Sequence, residues 1–70
     1  MNRIQRNKLK LSKWTAVVPQ NKEKHFMVTR VLEEEGQALQ VVLEAIHSKQ
    51  EYVYQWDVLK DDAIWKQGWK

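Results

Sequence analysis

Few residues in this sequence have the types and the spacing that catalysis requires. Ser12 and Ser48 lack the flanking glycines of a nucleophile elbow, and nothing in the nearby sequence orients either histidine as a base. Asp61 and Asp62 are adjacent, so their side chains do not face one another as a working carboxylate pair does. Two glycines in the whole chain are too few for a phosphate-binding loop. We therefore expect a protein that is not an enzyme.

Metal ligands are also sparse. The chain has no cysteine and two histidines, His25 and His47, which does not fit the usual structural zinc site. The acidic run at residues 33–35 lacks the spacing and variety of a calcium-binding loop and is typical of a solvated hairpin tip. We expect neither a metal nor another cofactor.

The residues that fit nucleic-acid binding lie in the first part of the chain. Residues 1–30 carry eight Lys or Arg and one Glu, a charge of +7, whereas residues 31–70 carry −4. Single-stranded nucleic acids bind surfaces that combine cations for the phosphates with aromatic rings for stacking. The sequence therefore predicts a surface for single-stranded RNA or DNA that is formed by Lys8, Lys10, Lys13, Trp14, Lys22, Lys24, His25 and Arg30.

A second interpretation of these residues is structural. A small domain without disulfides depends on its large aromatic side chains for burial, because each removes about 150–250 Å² from water. Trp14 would then belong to the core, and the lysines would only keep the domain soluble.

The last twenty residues supply an alternative site, since they hold three of the four tryptophans and both tyrosines. Small curled sheets bind peptides in aromatic grooves or along free strand edges. The alternative prediction is a protein-interaction module that uses either a free strand edge at residues 9–18 or a groove lined by Tyr52, Tyr54, Trp56, Trp65 and Trp69. A homodimer that buries these rings is a third alternative, because the sequence does not fix the oligomeric state.

The elements that must position these side chains are mainly extended. Aromatic residues occupy every second position in residues 52–56, which places them on one face of a strand. Residues 8–18 alternate with a change of phase near Ser12 that suggests a bulge, or an extended segment that crosses from one side of the core to the other. Pro19 should end regular pairing there, because it has no N–H to donate.

The remaining segments are less uniform. Residues 25–32 alternate with Phe26, Val28 and Leu32 on one face and Val31 on the other. Residues 39–48 fit both a helix and a strand, and their short length between a glycine-containing turn and another strand favours a strand. Asp61 and Gly68 suit the two ends of a helical turn over residues 61–67.

These segments predict a mainly β domain, a small antiparallel meander of three to four strands curled into a half-open barrel, with a short C-terminal helical turn. Residues 1–7 are expected to be a flexible basic arm and residues 8–70 a single small domain. No apolar stretch approaches the ~18 residues of a membrane span, so we expect a cytoplasmic protein with no membrane partner. The expected core consists of Trp14, Phe26, Val28, Leu43, Trp56 and Trp65.

Several short motifs, taken together, resemble a known family. They are Ser12-Lys13-Trp14-Thr15-Ala16, Pro19, Lys22-Glu23-Lys24-His25-Phe26, Leu43-Glu44-Ala45, Trp56, Leu59-Lys60-Asp61, Trp65 and Gly68-Trp69. In this order they resemble the small tryptophan-rich family of bacterial proteins of unknown function, over residues 9–69. The resemblance implies a bacterial origin and a free-standing single domain. It implies no activity, so the functional expectations rest on the residues alone.

Overall fold

The computed structural model describes residues 2–33, 36 and 39–70, which form one antiparallel sheet of five strands. The strands are β1 (Lys13–Gln20), β2 (Glu23–Leu32), β3 (Gln40–Ala45), β4 (Glu51–Gln55) and β5 (Trp65–Gln67). Their order is β4, β3, β2, β1, β5, so the first four strands form a meander and β5 returns to pair with β1. The free edge expected at residues 9–18 is therefore wrong, because β1 pairs with β2 on one side and with β5 on the other. The described helical segments are two 3-10 turns, and neither is long and apolar enough to cross a membrane. The predicted mainly β domain is confirmed.

A tight turn joins β1 to β2, and a bulge lies just before it. Asn21 and Lys22 both have positive φ, 55° and 62°, as the central residues of a type I′ hairpin do. The register shifts between Thr15 and Gln20, so β1 has extra residues opposite β2. Pro19 lies within this bulge. The sheet needs no backbone hydrogen bond from this position, so the missing N–H of proline is tolerated there. The bulge moves this part of β1 away from β2.

The segment at residues 39–48, whose apolar spacing fits both a helix and a strand, contains strand β3. Val41 and Leu43 face the core, and Val42 on the opposite face is buried as well. A strand that is covered on both faces contains a continuous apolar run, which also matches helical spacing. The prediction of a strand over this segment is confirmed.

The pairing of β2 with β3 changes the predicted faces of β2. The register shifts between Val28 and Arg30, so the alternation of side chains reverses after Thr29. Val31 consequently packs against the core. The sequence predicted that Leu32 would share a face with Phe26 and Val28, and this prediction is wrong because it assumed an alternation without a bulge.

The chain returns from β4 to β5 through the 3-10 turn Trp56–Lys60. The helical turn predicted over residues 61–67 is therefore wrong in position. The Asp61 carboxylate accepts a hydrogen bond from the Ala63 N–H at 3.0 Å, and the Asp61 carbonyl accepts one from the Trp65 N–H at 2.9 Å. Only this single turn forms before the chain extends again as β5, which brings the Trp65 ring into the core.

The sheet is strongly curled. Its edge strands β4 and β5 would lie about 19 Å apart if five strands were flat. Instead, the Tyr54 ring of β4 and the Trp65 ring of β5 have centroids 6.3 Å apart. This closeness agrees with the predicted half-open barrel. The buried core consists of Leu9, Trp14, Phe26, Val28, Leu39, Val41, Leu43, Ala45, Leu59 and Trp65, and Trp56 packs against it.

Residues 2–12 lie against the sheet before β1 begins. The side-chain amide of Asn2 donates a hydrogen bond to the Trp65 carbonyl at 2.6 Å. Leu11 has a positive φ of 68°, and β1 starts at Lys13. The phase change near Ser12 thus marks the start of the strand, and the bulge expected there is found after Thr15. The predicted flexibility of residues 1–7 stays a prediction.

Candidate binding surfaces

Trp14, the aromatic residue of the predicted nucleic-acid surface, is only 1% exposed. Its ring faces the inside of the sheet, and its indole N–H donates a hydrogen bond to the Ser12 hydroxyl at 2.8 Å. Trp14 is therefore a core residue, and its ring offers no free face to a base. Stacking near the predicted lysines requires another aromatic ring.

Trp69 provides an exposed aromatic ring beside residues of the predicted nucleic-acid surface. It lies on the outer face of β1 and β2, 42% exposed, and its indole N–H donates to the Phe26 carbonyl at 3.0 Å. The Lys13 ammonium is 4.7 Å from the Trp69 ring centroid, and the His25 ring centroid is 6.1 Å away. Two predicted residues, Lys13 and His25, thus meet a tryptophan that the sequence assigned to the alternative groove.

Backbone contacts hold the end of the chain against β1 and β2. The Thr15 hydroxyl donates to the Gly68 carbonyl at 2.7 Å and accepts from the Lys70 N–H at 2.9 Å. The Gly68 N–H donates to the Lys13 carbonyl at 2.8 Å, with Gly68 at a φ of 81° that favours glycine. The position of Trp69 is therefore set by the residues on both sides of it.

A basic groove adjoins Lys13. It has a volume of about 350 Å³ and lies between the N-terminal segment and the start of β1. Arg3, Lys8 and Lys13 contribute its cationic side chains, and Ile4 and Leu9 contribute apolar ones. Lys13 therefore belongs both to this groove and to the Trp69 contact.

The other predicted cations lie farther along the sheet. Lys22 and Lys24 line a separate depression of about 510 Å³ together with His47. Arg30 pairs in register with a residue of β3, and Lys10 is exposed ahead of β1. Within residues 2–33, 36 and 39–70, no three His, Asp or Glu side chains are grouped so that they could hold a metal ion.

The inside of the curl forms an aromatic groove of about 390 Å³. Three of the predicted groove residues, Tyr52, Tyr54 and Trp65, meet there with Phe26. The Phe26 and Trp65 centroids are 5.1 Å apart in an edge-to-face arrangement, and Phe26 to Tyr52 is 6.2 Å. Tyr52 and Tyr54 are stacked at 6.5 Å. These four rings form a continuous aromatic surface between the two sheet edges.

The other two predicted groove residues lie elsewhere. Trp69 is on the outer face, as described above. Trp56 is half-buried in the 3-10 turn, and the Lys60 ammonium lies 4.4 Å from its ring centroid. The structure therefore separates the five predicted aromatic residues into three places.

A nearly buried carboxylate stands at one end of the aromatic groove. Glu23 is 5% exposed and lines the groove. Its carboxylate accepts hydrogen bonds from the Ser48 hydroxyl and, at 2.6 Å, from the Tyr52 hydroxyl. The Ser48 bond, followed by the Tyr52 bond, holds the pKa of Glu23 below its usual value. The same contact with Glu23 raises the pKa of Tyr52, so the two groups favour a carboxylate and a neutral phenol.

Comparison of sequences identifies the family. The profile of the family described as Tryptophan-rich protein (DUF2389) matches residues 12–70. The chain belongs to this tryptophan-rich family. No curated protein and no solved structure matches it. The resemblance found in the sequence motifs is confirmed.

Three site residues of this tryptophan-rich protein escaped the sequence analysis. Arg3 belongs to the predicted flexible arm, and Phe26 belongs to the predicted core and to neither predicted site. Glu23 is the one acidic residue among residues 1–30, which is a visible signal in the sequence. The nearby sequence, however, holds no partner for its carboxylate. Its partners Ser48 and Tyr52 lie far along the chain, so only the folded sheet brings the three together.

Proposed function

We propose that this protein is a non-catalytic binding domain for single-stranded nucleic acid. The observation that carries the proposal is the position of Lys13, which lies over the exposed Trp69 ring and also lines the groove that contains Arg3 and Lys8. A base stacked on Trp69 would place the next phosphates beside these cations. Stacking and phosphate contacts are the two features that sequence-tolerant single-strand binding uses.

The location of the acidic residues supports this choice of surface. Asp57, Asp61 and Asp62 are grouped around the 3-10 turn and the turn that follows it, and Glu44 and Glu51 lie on β3 and β4. The basic groove is formed by the N-terminal segment and β1. None of the described residues that line this groove is acidic, so the groove is locally basic despite a net charge of only +3.

The test is titration of the full chain with oligouridine and oligothymidine while tryptophan fluorescence is followed at several salt concentrations. Neutralising each phosphate contributes about −0.7 to the slope of log affinity against log salt for single strands. We expect Lys13→Gln to weaken binding. The salt-dependence slope should become shallower by about the contribution of one phosphate contact. Trp69→Ala should remove most of the quenching.

Lys60→Gln is the matched control. Lys60 also lies over a tryptophan ring, that of Trp56, but its turn contains Asp57 and it lies next to Asp61. This variant should bind nucleic acid as the natural sequence does. Equal affinity for the Lys13→Gln variant and the natural protein, or equal losses in the Lys13→Gln and Lys60→Gln variants, would contradict the proposal.

A further inference from the structure

The aromatic groove on the inside of the sheet has the features of a second binding site. Phe26 and Trp65 form its buried floor, and the exposed side chains of Val18, Tyr54 and Ile64 form its rim. Concentrated exposed apolar groups beside a concave aromatic surface are typical of interaction sites. The nucleic-acid surface does not account for this groove, because Trp69 lies on the opposite face of the sheet.

The groove carries a negative charge that is not neutralised by any cation in the described part of the chain. Glu23 receives hydrogen bonds from two neutral hydroxyl groups, and the ion pair found among the described residues joins Arg6 to Glu33 instead. A hydrogen bond from a cation to a carboxylate is shorter and roughly twice as strong as one between neutral groups. The ligand chemistry that complements this end of the groove is therefore a lysine or arginine side chain.

The free edge of β4 indicates that the ligand is an extended segment. β4 pairs with β3 on one side, and its other side is an edge of the described sheet. Tyr52 and Tyr54 both face the groove and are two positions apart, a spacing of about 6.8 Å along a strand. An extended segment paired to this edge presents every second side chain to the groove with the same spacing.

We propose that the aromatic groove binds an extended protein segment that pairs with the edge of β4 and carries a basic and an apolar residue two positions apart. The basic side chain lies beside Tyr52 and reaches the Glu23 carboxylate. The apolar side chain packs on Tyr54 and Trp65, between the two edges of the sheet. This site is independent of the nucleic-acid surface proposed above.

The test is selection of a displayed random-peptide library on the full chain, followed by calorimetry with synthetic copies of the enriched peptides. We expect enrichment of a Lys or Arg two positions from an apolar residue. Binding should weaken roughly tenfold or more in Glu23→Gln, as expected when a hydrogen-bonded charge partner is lost. Methylation of backbone amides on the pairing side of the peptide should weaken binding, whereas methylation on the other side should not.

Two valine variants keep the test valid if Glu23→Gln fails to fold. Val18→Lys places a cation on the groove rim at a residue that is 72% exposed, and it should weaken binding of basic peptides. Val53→Lys makes the same change on the outer face of β4, at a residue that is 54% exposed, and it should have no effect. The proposal is overturned if no peptide is enriched, if enriched peptides lack the basic residue, or if both valine variants bind equally well. Displacement of the peptides by oligouridine would also overturn it, because they would then occupy the basic surface.

Discussion

Trp14 and Trp69 differ in what surrounds their rings. Trp14 is enclosed by the core and donates its indole N–H to Ser12, whereas a large part of the Trp69 ring is exposed to solvent beside Lys13. A ring in the first environment contributes mainly to stability. A ring in the second remains available to a ligand.

We predict that Trp14→Ala lowers the free energy of unfolding by about 3–5 kcal/mol, the usual cost of removing a buried tryptophan. That is a large part of the ~5–15 kcal/mol that stabilises a typical small domain. Trp69→Ala should cost about 1 kcal/mol, mainly through its hydrogen bond to the Phe26 carbonyl. Urea denaturation of both variants measures the difference, and similar midpoints for the two would show that the assignment of the rings is wrong.

Glu23 should make the stability of the domain depend on pH. Its folded-state pKa lies below the ordinary value of 4.5, because the Ser48 and Tyr52 hydroxyls donate to the carboxylate. A lowered pKa means that this contribution is fully present above about pH 4.5 and is lost as the pH falls through the folded-state value. We predict that the difference in unfolding free energy between the natural protein and Glu23→Gln shrinks as the pH falls. A constant difference, measured by urea denaturation from neutral to acidic pH, would contradict the assignment.

At the scale of elements, the strands were predictable where aromatic or β-branched side chains recur at every second position. The alternating aromatic residues predicted the position of β4 directly. The fifth strand was missed because three residues are too short for a periodic signal. Pro19 indicated the disruption before Gln20, whereas the register shift after Val28 depends on the pairing of neighbouring strands and has no local pattern to reveal it.

The register of β3 and β4 places two like charges opposite each other. Glu44 pairs with Glu51. Like charges directly across an antiparallel pair are destabilising, and opposite charges stabilise by about 0.2–1 kcal/mol. We predict that Glu51→Lys raises the free energy of unfolding by an amount in this range, and that Glu51→Gln gives a smaller gain. Thermal unfolding at low and high salt measures both, and a gain that does not decrease with salt would argue against a charge effect.

At the scale of the whole molecule, the sequence indicated which residue types would form sites but not which of them would meet. The sequence alone predicts two separate surfaces, one on the basic stretch and one on the aromatic C-terminal segment. In the structure the chain end crosses to the basic side, because Gly68, Trp69 and Lys70 bond to β1 and β2. The groove requires the curl of the sheet, which brings Trp65 against Phe26 and Tyr54 and is not a property of any single strand.

The packing of β5 therefore predicts how much of the C-terminal end the fold requires. Trp65 contacts Phe26 of β2 and Tyr54 of β4, so it links both halves of the described sheet from a strand that is paired to β1. A chain that ends at Asp62 loses this link and leaves the edge of β1 unpaired, and it should show no cooperative thermal transition by circular dichroism. A chain that ends at Gly68 keeps β5 and loses only the outer-face contacts, so it should still unfold cooperatively at a slightly lower temperature. If the shorter chain also unfolds cooperatively near the natural midpoint, the curl is maintained by the first four strands and Trp65 only fills the space between them.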